Sequence, residues 1–224
     1  MAVTATSTFN MDLSEVVEEA FELAGGEVRS GYDFRTARRS LNLLLLEWAN
    51  MGFNMWTLES GSIPLISGTA TYNLPIDTVD IIEHYIRTGS TTTQSDISIS
   101  RIGVSTYSGI PNKNAPGRPI QMFVNRQITP TVTLWPVPDS SLYTLVYWRL
   151  RRLNDAGNGI NTQDIPFRFL PALIAGLAYK ISMKIPEGIP RMQYLKQSYD
   201  DAWLMASTED REKISSNFFP RICS

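Results

Sequence analysis

Apolar residues recur along the chain in three regimes. From Leu13 to Trp48 they fall three and four apart. Leu13, Val16, Val17, Ala20 and Ala24 form one stripe behind Asp12, and Gly25-Gly26 closes it. Phe34, Ala37, Leu41, Leu44, Leu45 and Trp48 form a second stripe, opened by Gly31 and Asp33 and closed by Gly52. This spacing predicts two helices, each with one buried face and a conventional start and stop. A short loop between them predicts an antiparallel hairpin.

The period then shortens. Between Trp56 and Leu150 the chain is rich in Thr, Ser, Ile, Val, Tyr, Gly and Pro, and short β-favouring runs alternate with turn signals. Strands are expected at Trp56–Leu58, Ile63–Ile66, Ala70–Leu74, Val79–Arg87, Ile97–Ile102, Ile120–Asn125, Thr131–Trp135 and Leu142–Leu150. The last run is apolar on both alternating faces: Tyr143, Leu145 and Tyr147 on one, Val146, Trp148 and Leu150 on the other. That pattern predicts a central strand covered on both sides. Thr88 to Ser95 reads as a polar tip. Tyr107 to Pro119, dense in Pro, Gly and Asn, reads as an irregular loop, and Asn154 to Asp164 as the way out of the β region.

Helical spacing returns after Pro171. The segment to Ile185 is apolar almost all round, as in the most buried helix of a bundle. Pro186, Gly188 and Pro190 break it. A last helix from Pro190 carries Met192, Leu195, Tyr199, Ala202 and Ala206, and an i,i+4 Glu209–Lys213 pair near its end. Neither helical pair is long enough to bury itself alone, so the two should complete one core. The expected fold is α+β: a helical bundle from residues 1–55 and 154–213, an inserted antiparallel β-rich domain over 56–153, and a segment 214–224 without periodicity.

Composition narrows the function. Of 224 residues, 43% are apolar and 19% charged, which excludes wholesale disorder. The formal charge of −2 does not support a protein that grips phosphates, though it leaves room for one that surrounds DNA without holding it. With one cysteine, Cys223, no disulfide can form within the chain. The N-terminus lacks the pattern of a signal peptide, and the longest apolar run, Phe169 to Tyr179, is too short to span a bilayer. A soluble protein maturing in a reducing cytoplasm is expected, without cofactor, metal or membrane.

Catalytic signals are sparse. His84 is the only histidine and sits within a strand, where an ordinary structural role outweighs that of a base. No serine lies in a nucleophile elbow, and no glycine loop could cradle phosphate. Glu15, Glu18, Glu19 and Glu22 would be the candidates for a peptidoglycan hydrolase, but they recur opposite an apolar stripe, as a solvated face does. Arg35, Arg38, Arg39, Arg149, Arg151 and Arg152 could touch phosphate or pair with nearby acids. Residues Phe218, Phe219 and Ile222 are large apolar groups at a chain end. Two readings stay open for them: folding back onto the bundle, or an arm that anchors in a partner's groove.

Several stretches resemble the head-to-tail adaptor proteins of short-tailed bacteriophages: Pro116-Gly-Arg-Pro-Ile-Gln-Met-Phe-Val-Asn-Arg-Gln, Thr131-Val-Thr-Leu-Trp-Pro-Val-Pro-Asp and Tyr143-Thr-Leu-Val-Tyr-Trp. So do Phe169-Leu-Pro-Ala-Leu-Ile-Ala-Gly-Leu-Ala-Tyr, Tyr199 to Trp203, and the ending from Glu209-Asp-Arg-Glu-Lys to Phe219-Pro-Arg. The resemblance implies a structural virion protein of the neck, not an enzyme. About twelve copies would form a ring beneath the portal protein, extend the channel through which double-stranded DNA passes, and present a platform to the tail nozzle or tail tube. It implies a portal-binding arm comprising Ile214, Asn217, Phe218, Phe219, Pro220, Arg221 and Ile222. The loop holding Tyr107, Ile110, Lys113 and Arg118 becomes a candidate contact with a neighbouring subunit or the tail. A tail-tube, nozzle or other neck component is the alternative within the same class. Some such adaptors carry cell-wall hydrolase activity, but no motif here matches it.

Overall fold

The computed structural model describes residues 9–51, 55–89 and 91–210. The first helix, α1 (Leu13–Ala24), begins as its sequence dictates. Asp12 accepts from the Glu15 amide while the Glu15 carboxylate accepts from the Asp12 amide, and Gly25 adopts the left-handed conformation that ends the helix. In the second, α2 (Gly31–Met51), Asp33 and Ser30 exchange hydrogen bonds across the first turn, and Ala37, Ser40, Leu41, Leu44, Leu45 and Trp48 are buried. Gly52, read as its stop, lies outside the described residues.

A one-turn 3-10 helix (Met55–Thr57) leads into the β region: β1 (Leu58–Pro64), β2 (Thr71–Asn73), β3 (Thr78–Thr88), β4 (Ser95–Ser98) and β5 (Ser100–Ile102). Then follow the short helix α3 (Val104–Ser108), β6 (Pro116–Gly117), β7 (Gln121–Asn125), β8 (Thr131–Trp135), β9 (Val137–Pro138) and β10 (Thr144–Arg151). Two four-stranded sheets form, in the orders β1-β10-β3-β4 and β2-β8-β7-β5. Leu65, Ile81, Ile86 and Leu145 join Tyr72, Met122, Val132 and Leu134 in one buried cluster between them. The unit is a sandwich, antiparallel except for the parallel pairs β5–β7 and β6–β9.

Several boundaries differ from the sequence reading. The runs at 56–58 and 63–66 merge into one strand, because Gly61 leaves room where a Cβ would lie 2.6 Å from the Tyr147 ring. The run at 97–102 divides at Ile99. There the chain passes from one sheet to the other with Ile99 buried in their shared core. The segment 107–119 is less irregular than expected: it holds the end of α3 and the short strand β6. β10 is central, but only its Leu145, Tyr147, Arg149 face is covered; Trp148 on the other face is 45% exposed.

The chain returns to helix through a 3-10 turn (Phe167–Phe169) into α4 (Leu170–Ser182), which buries nine of its thirteen residues. Pro190 sits in a 3-10 segment (Pro186–Arg191) rather than in the last helix, α5 (Met192–Glu209). Residues up to Met55 and from Leu153 onward form one unit, and Trp56–Arg152 the other. In the helical unit α1 lies mainly on α4, not on α2 as a hairpin would require, because α4 is apolar all round and serves as the common hub. Trp48 of α2 packs against Phe169 and Trp203, with ring centroids at 5.8 and 4.8 Å, and donates to the Tyr199 hydroxyl at 2.9 Å. Helices from both chain halves thus share one aromatic core. The polar exit segment is also part of this unit: Leu13 and Ser14 donate to the Asn161 and Gly159 carbonyls at 3.0 Å, satisfying amides that a helix start leaves free.

Candidate functional site

The candidate contact loop is a braced structure. The Tyr107 ring stacks on Phe123, centroids 5.1 Å apart and 9° from parallel. The Lys113 ammonium lies 5.5 Å from the Tyr107 centroid and donates to the Ile110 and Ser108 carbonyls at 3.0 and 3.2 Å. The Trp135 indole donates to the Asn112 carbonyl at 2.9 Å, and the Val137 amide to Ala115. Ile110 is buried beneath the loop and Arg118 is exposed. Of the four residues singled out, Tyr107, Ile110 and Lys113 come together to hold the loop's shape, and Lys113 and Arg118 are exposed. The loop presents a shaped surface.

The arm residues Ile214, Asn217, Phe218, Phe219, Pro220, Arg221 and Ile222 lie outside the described residues, as does Lys213 of the proposed ion pair. The last described residue is firmly held. Asp210, at the end of α5, is buried and bound by Arg168, just before α4.

Beside that point runs a feature the sequence reading did not find. An apolar groove of about 1250 Å³ lies on the helical unit. Its lining includes Met11, Leu23, Leu170, Ile174, Ser198 and Ala202. A signal was present. Leu23 interrupts the acidic face of α1, and Ile174 belongs to the side of α4 left over once its helical neighbours are counted. Glu15, Glu18, Glu19 and Glu22 line a smaller depression that shares Phe9, Met11 and Glu19 with the groove, so one rim is acidic.

Those four glutamates are exposed, and Glu15 is engaged in the cap of α1. They form a charged surface on α1. Arg35, Arg38 and Arg39 are exposed on α2. Arg149 is not a phosphate-seeking group: it is buried and binds Glu59 and Asp77, each at 2.7 Å. That bond holds the Asp77 carboxyl below its usual pKa, against an opposing contribution from burial. His84 lies opposite Tyr147 in the β3–β10 ladder, and both ring nitrogens are buried without a hydrogen-bond partner. Burial pushes its pKa down. Burial also lowers Lys184, with Arg39 and Lys180 adding to the effect; its ammonium bonds the Ser40 hydroxyl at 2.5 Å. Among the described residues no group of histidine, cysteine or carboxylates is placed to hold a metal ion, and no helix is long and apolar enough to cross a membrane.

No curated protein matches the chain. Among solved structures, a chain from the neck of an empty GTA particle covers 88% of this chain and 93% of its own length, at 10% identity and a TM-score of 0.28. A family model matches residues 11–217, spanning both the helical and β units. The chain belongs to the SU10 adaptor protein family.

Proposed function

We propose that this adaptor is a structural component of the virion neck: a ring of about twelve copies beneath the portal, extending the DNA channel and carrying the tail. The observation that carries this reading is the family match across residues 11–217. Three features of the surface support it. The chain leaves large apolar groups exposed, among them Trp148 and Ile82 on the outer face of their sheet, as a subunit awaiting neighbours would. The acidic face of α1 and the arginines of α2 give one unit two surfaces of opposite charge, which suits a head-to-tail contact that closes into a ring. The net charge of −2 lets DNA pass without a dense set of phosphate contacts.

In this reading Ile214 to Ile222 anchor the ring in the portal, and the Tyr107–Arg118 loop meets a neighbour or the tail. The test is a chain lacking residues 214–224, presented to purified portal protein. Loss of portal binding with the helical bundle still folded is expected. Undiminished binding would remove the arm from the portal contact. Copurification with tail proteins but never with portal would move the protein to the tail tube or nozzle.

A further inference from the structure

We infer that, in the free protein, the C-terminal tail of each chain docks in that chain's own helical groove, with Phe218 and Phe219 as the anchors. This rests on the arm assignment above but not on its portal partner. Four observations converge on it.

The first is where the described chain stops. Asp210 is fixed by Arg168, and Phe167 and Leu170, on either side of that arginine's turn, line the groove. The tail therefore starts beside the groove it would fill.

The second is reach. Phe218 lies eight residues past Asp210. Extended chain covers roughly 3.3 Å per residue, about 26 Å in all. Ser198, the groove residue of α5 farthest from Asp210, lies only about 18 Å back along the helix at 1.5 Å per residue. The phenylalanines can reach the groove along the whole of its α5 side.

The third is chemistry. The groove is lined chiefly by Leu, Ile, Pro, Ala and Phe and is large enough for two aromatic rings. Residues 1–8, the other segment next to it, carry no aromatic group and no charge on their side chains. The tail carries Phe218, Phe219 and Ile222.

The fourth is charge. Arg211, Lys213 and Arg221 outnumber Glu212 in the tail, while the rim carries Glu19 beside Glu15, Glu18 and Glu22. A basic segment laid along an acidic rim gains where its own apolar groups are sheltered. Docking would hold the anchors out of water until a competing groove on another protein takes them, so release of the arm becomes coupled to assembly.

The chain's single cysteine, Cys223, provides the test. In the full-length protein, without portal, Leu23→Cys places a thiol on the groove and Arg38→Cys places one on the exposed face of α2. Each variant is incubated with oxidised glutathione, and disulfide formation with Cys223 is followed by gel mobility and peptide mapping. The Leu23→Cys variant should form an intramolecular disulfide at least about tenfold faster than Arg38→Cys, because docking raises the local thiol concentration. Phe218→Ser with Phe219→Ser should bring that rate down to the control. Equal rates in the two cysteine variants, or a preference that survives loss of both phenylalanines, would overturn the inference. Disulfides formed only between chains would assign the groove to a second copy. Trapping that appears only after residues 1–8 are deleted would assign it to the N-terminal segment. Each of these results also overturns it.

Discussion

Gly176, in the middle of α4, provides a measurable test of how the helical unit is packed. An added Cβ there would lie 2.9 Å from Leu44 Cδ2 and 2.9 Å from Tyr199 Cε2, closer than nonbonded carbons sit. Neither neighbour moves freely. Leu44 is fully buried, and Tyr199 is held by the bond from the Trp48 indole, itself packed on Phe169 and Trp203. Two effects oppose each other in Gly176→Ala. Removing glycine from a helix interior stabilises by about 0.5–1 kcal/mol. Forcing a methyl into a filled core costs about 1–3 kcal/mol. Packing wins, and the net expectation is a loss of about 0.5–2 kcal/mol. For a chain of this size that is a fall in melting temperature of several degrees at most, at about 2–4 °C per kcal/mol. Helical circular dichroism through a urea titration isolates the helical unit better than fluorescence, since tryptophans occur in both units. Gly176→Leu should abolish cooperative unfolding of the helices. A Gly176→Ala protein more stable than the parent by about 1 kcal/mol would mean that the propensity gain is unopposed, and that α2 and α5 do not close on α4 at this residue.

Further expectations concern the β unit and the start of α1. Arg149→Met removes the partner of Glu59 and Asp77; both acids retain access to water, so the loss should be about 1–3 kcal/mol rather than that of a fully buried pair, read as a lower urea midpoint for the β unit. The pH dependence has a fixed sign. Because Arg149 depresses the Asp77 pKa in the folded state, the associated stability is present above the ordinary carboxylate value near 3.8 and is lost as pH falls through the lower folded value. Acid unfolding below about pH 4 should therefore be less steep in Arg149→Met; an unchanged profile would separate Asp77 from the acid transition. Asp12→Ala removes the capping interaction of α1 and should cost about 1 kcal/mol, seen as a lower melting temperature without change of fold.

Where local chemistry decided the structure, the sequence could be read closely. The Asp12–Glu15 box and Gly25 bound α1 because they satisfy that helix's own backbone groups. β8 matches its expected run, with Val132 and Leu134 in the buried cluster. Misreadings arose where a partner distant in sequence made the decision. The two-sided apolar pattern of β10 implied cover on both faces, yet only one face meets the opposite sheet, and Trp148 stays half exposed. Ile99 breaks a continuous β-favouring run because two sheets share it. Arg149 read as a surface cation at a strand end; its burial depends on Glu59 and Asp77, far back in the chain. The Tyr107–Pro119 loop holds its shape through Trp135 and Phe123, which no local pattern could supply.

The groove follows the same logic in reverse. No segment encodes it, since α1 from one end of the chain and α4 and α5 from the other supply its walls. Periodicity assigns Leu23 and Ile174 to leftover positions, and each alone is an unremarkable exposed or half-exposed apolar residue. Phe218 and Phe219 have the complementary ambiguity: aromatic groups in a segment whose spacing fits neither helix nor strand. The described chain ends at Asp210, held by Arg168 between two residues of the groove's lining, Phe167 and Leu170. If the tail's anchors are shared between its own groove and a portal groove, strengthening the first must weaken the second, because the free chain is stabilised against release. Enlarging an anchor, as in Phe219→Trp, separates the cases. Faster trapping at Leu23→Cys together with weaker portal binding is the outcome of competition. Faster trapping with portal binding unchanged would mean that different tail residues serve the two sites.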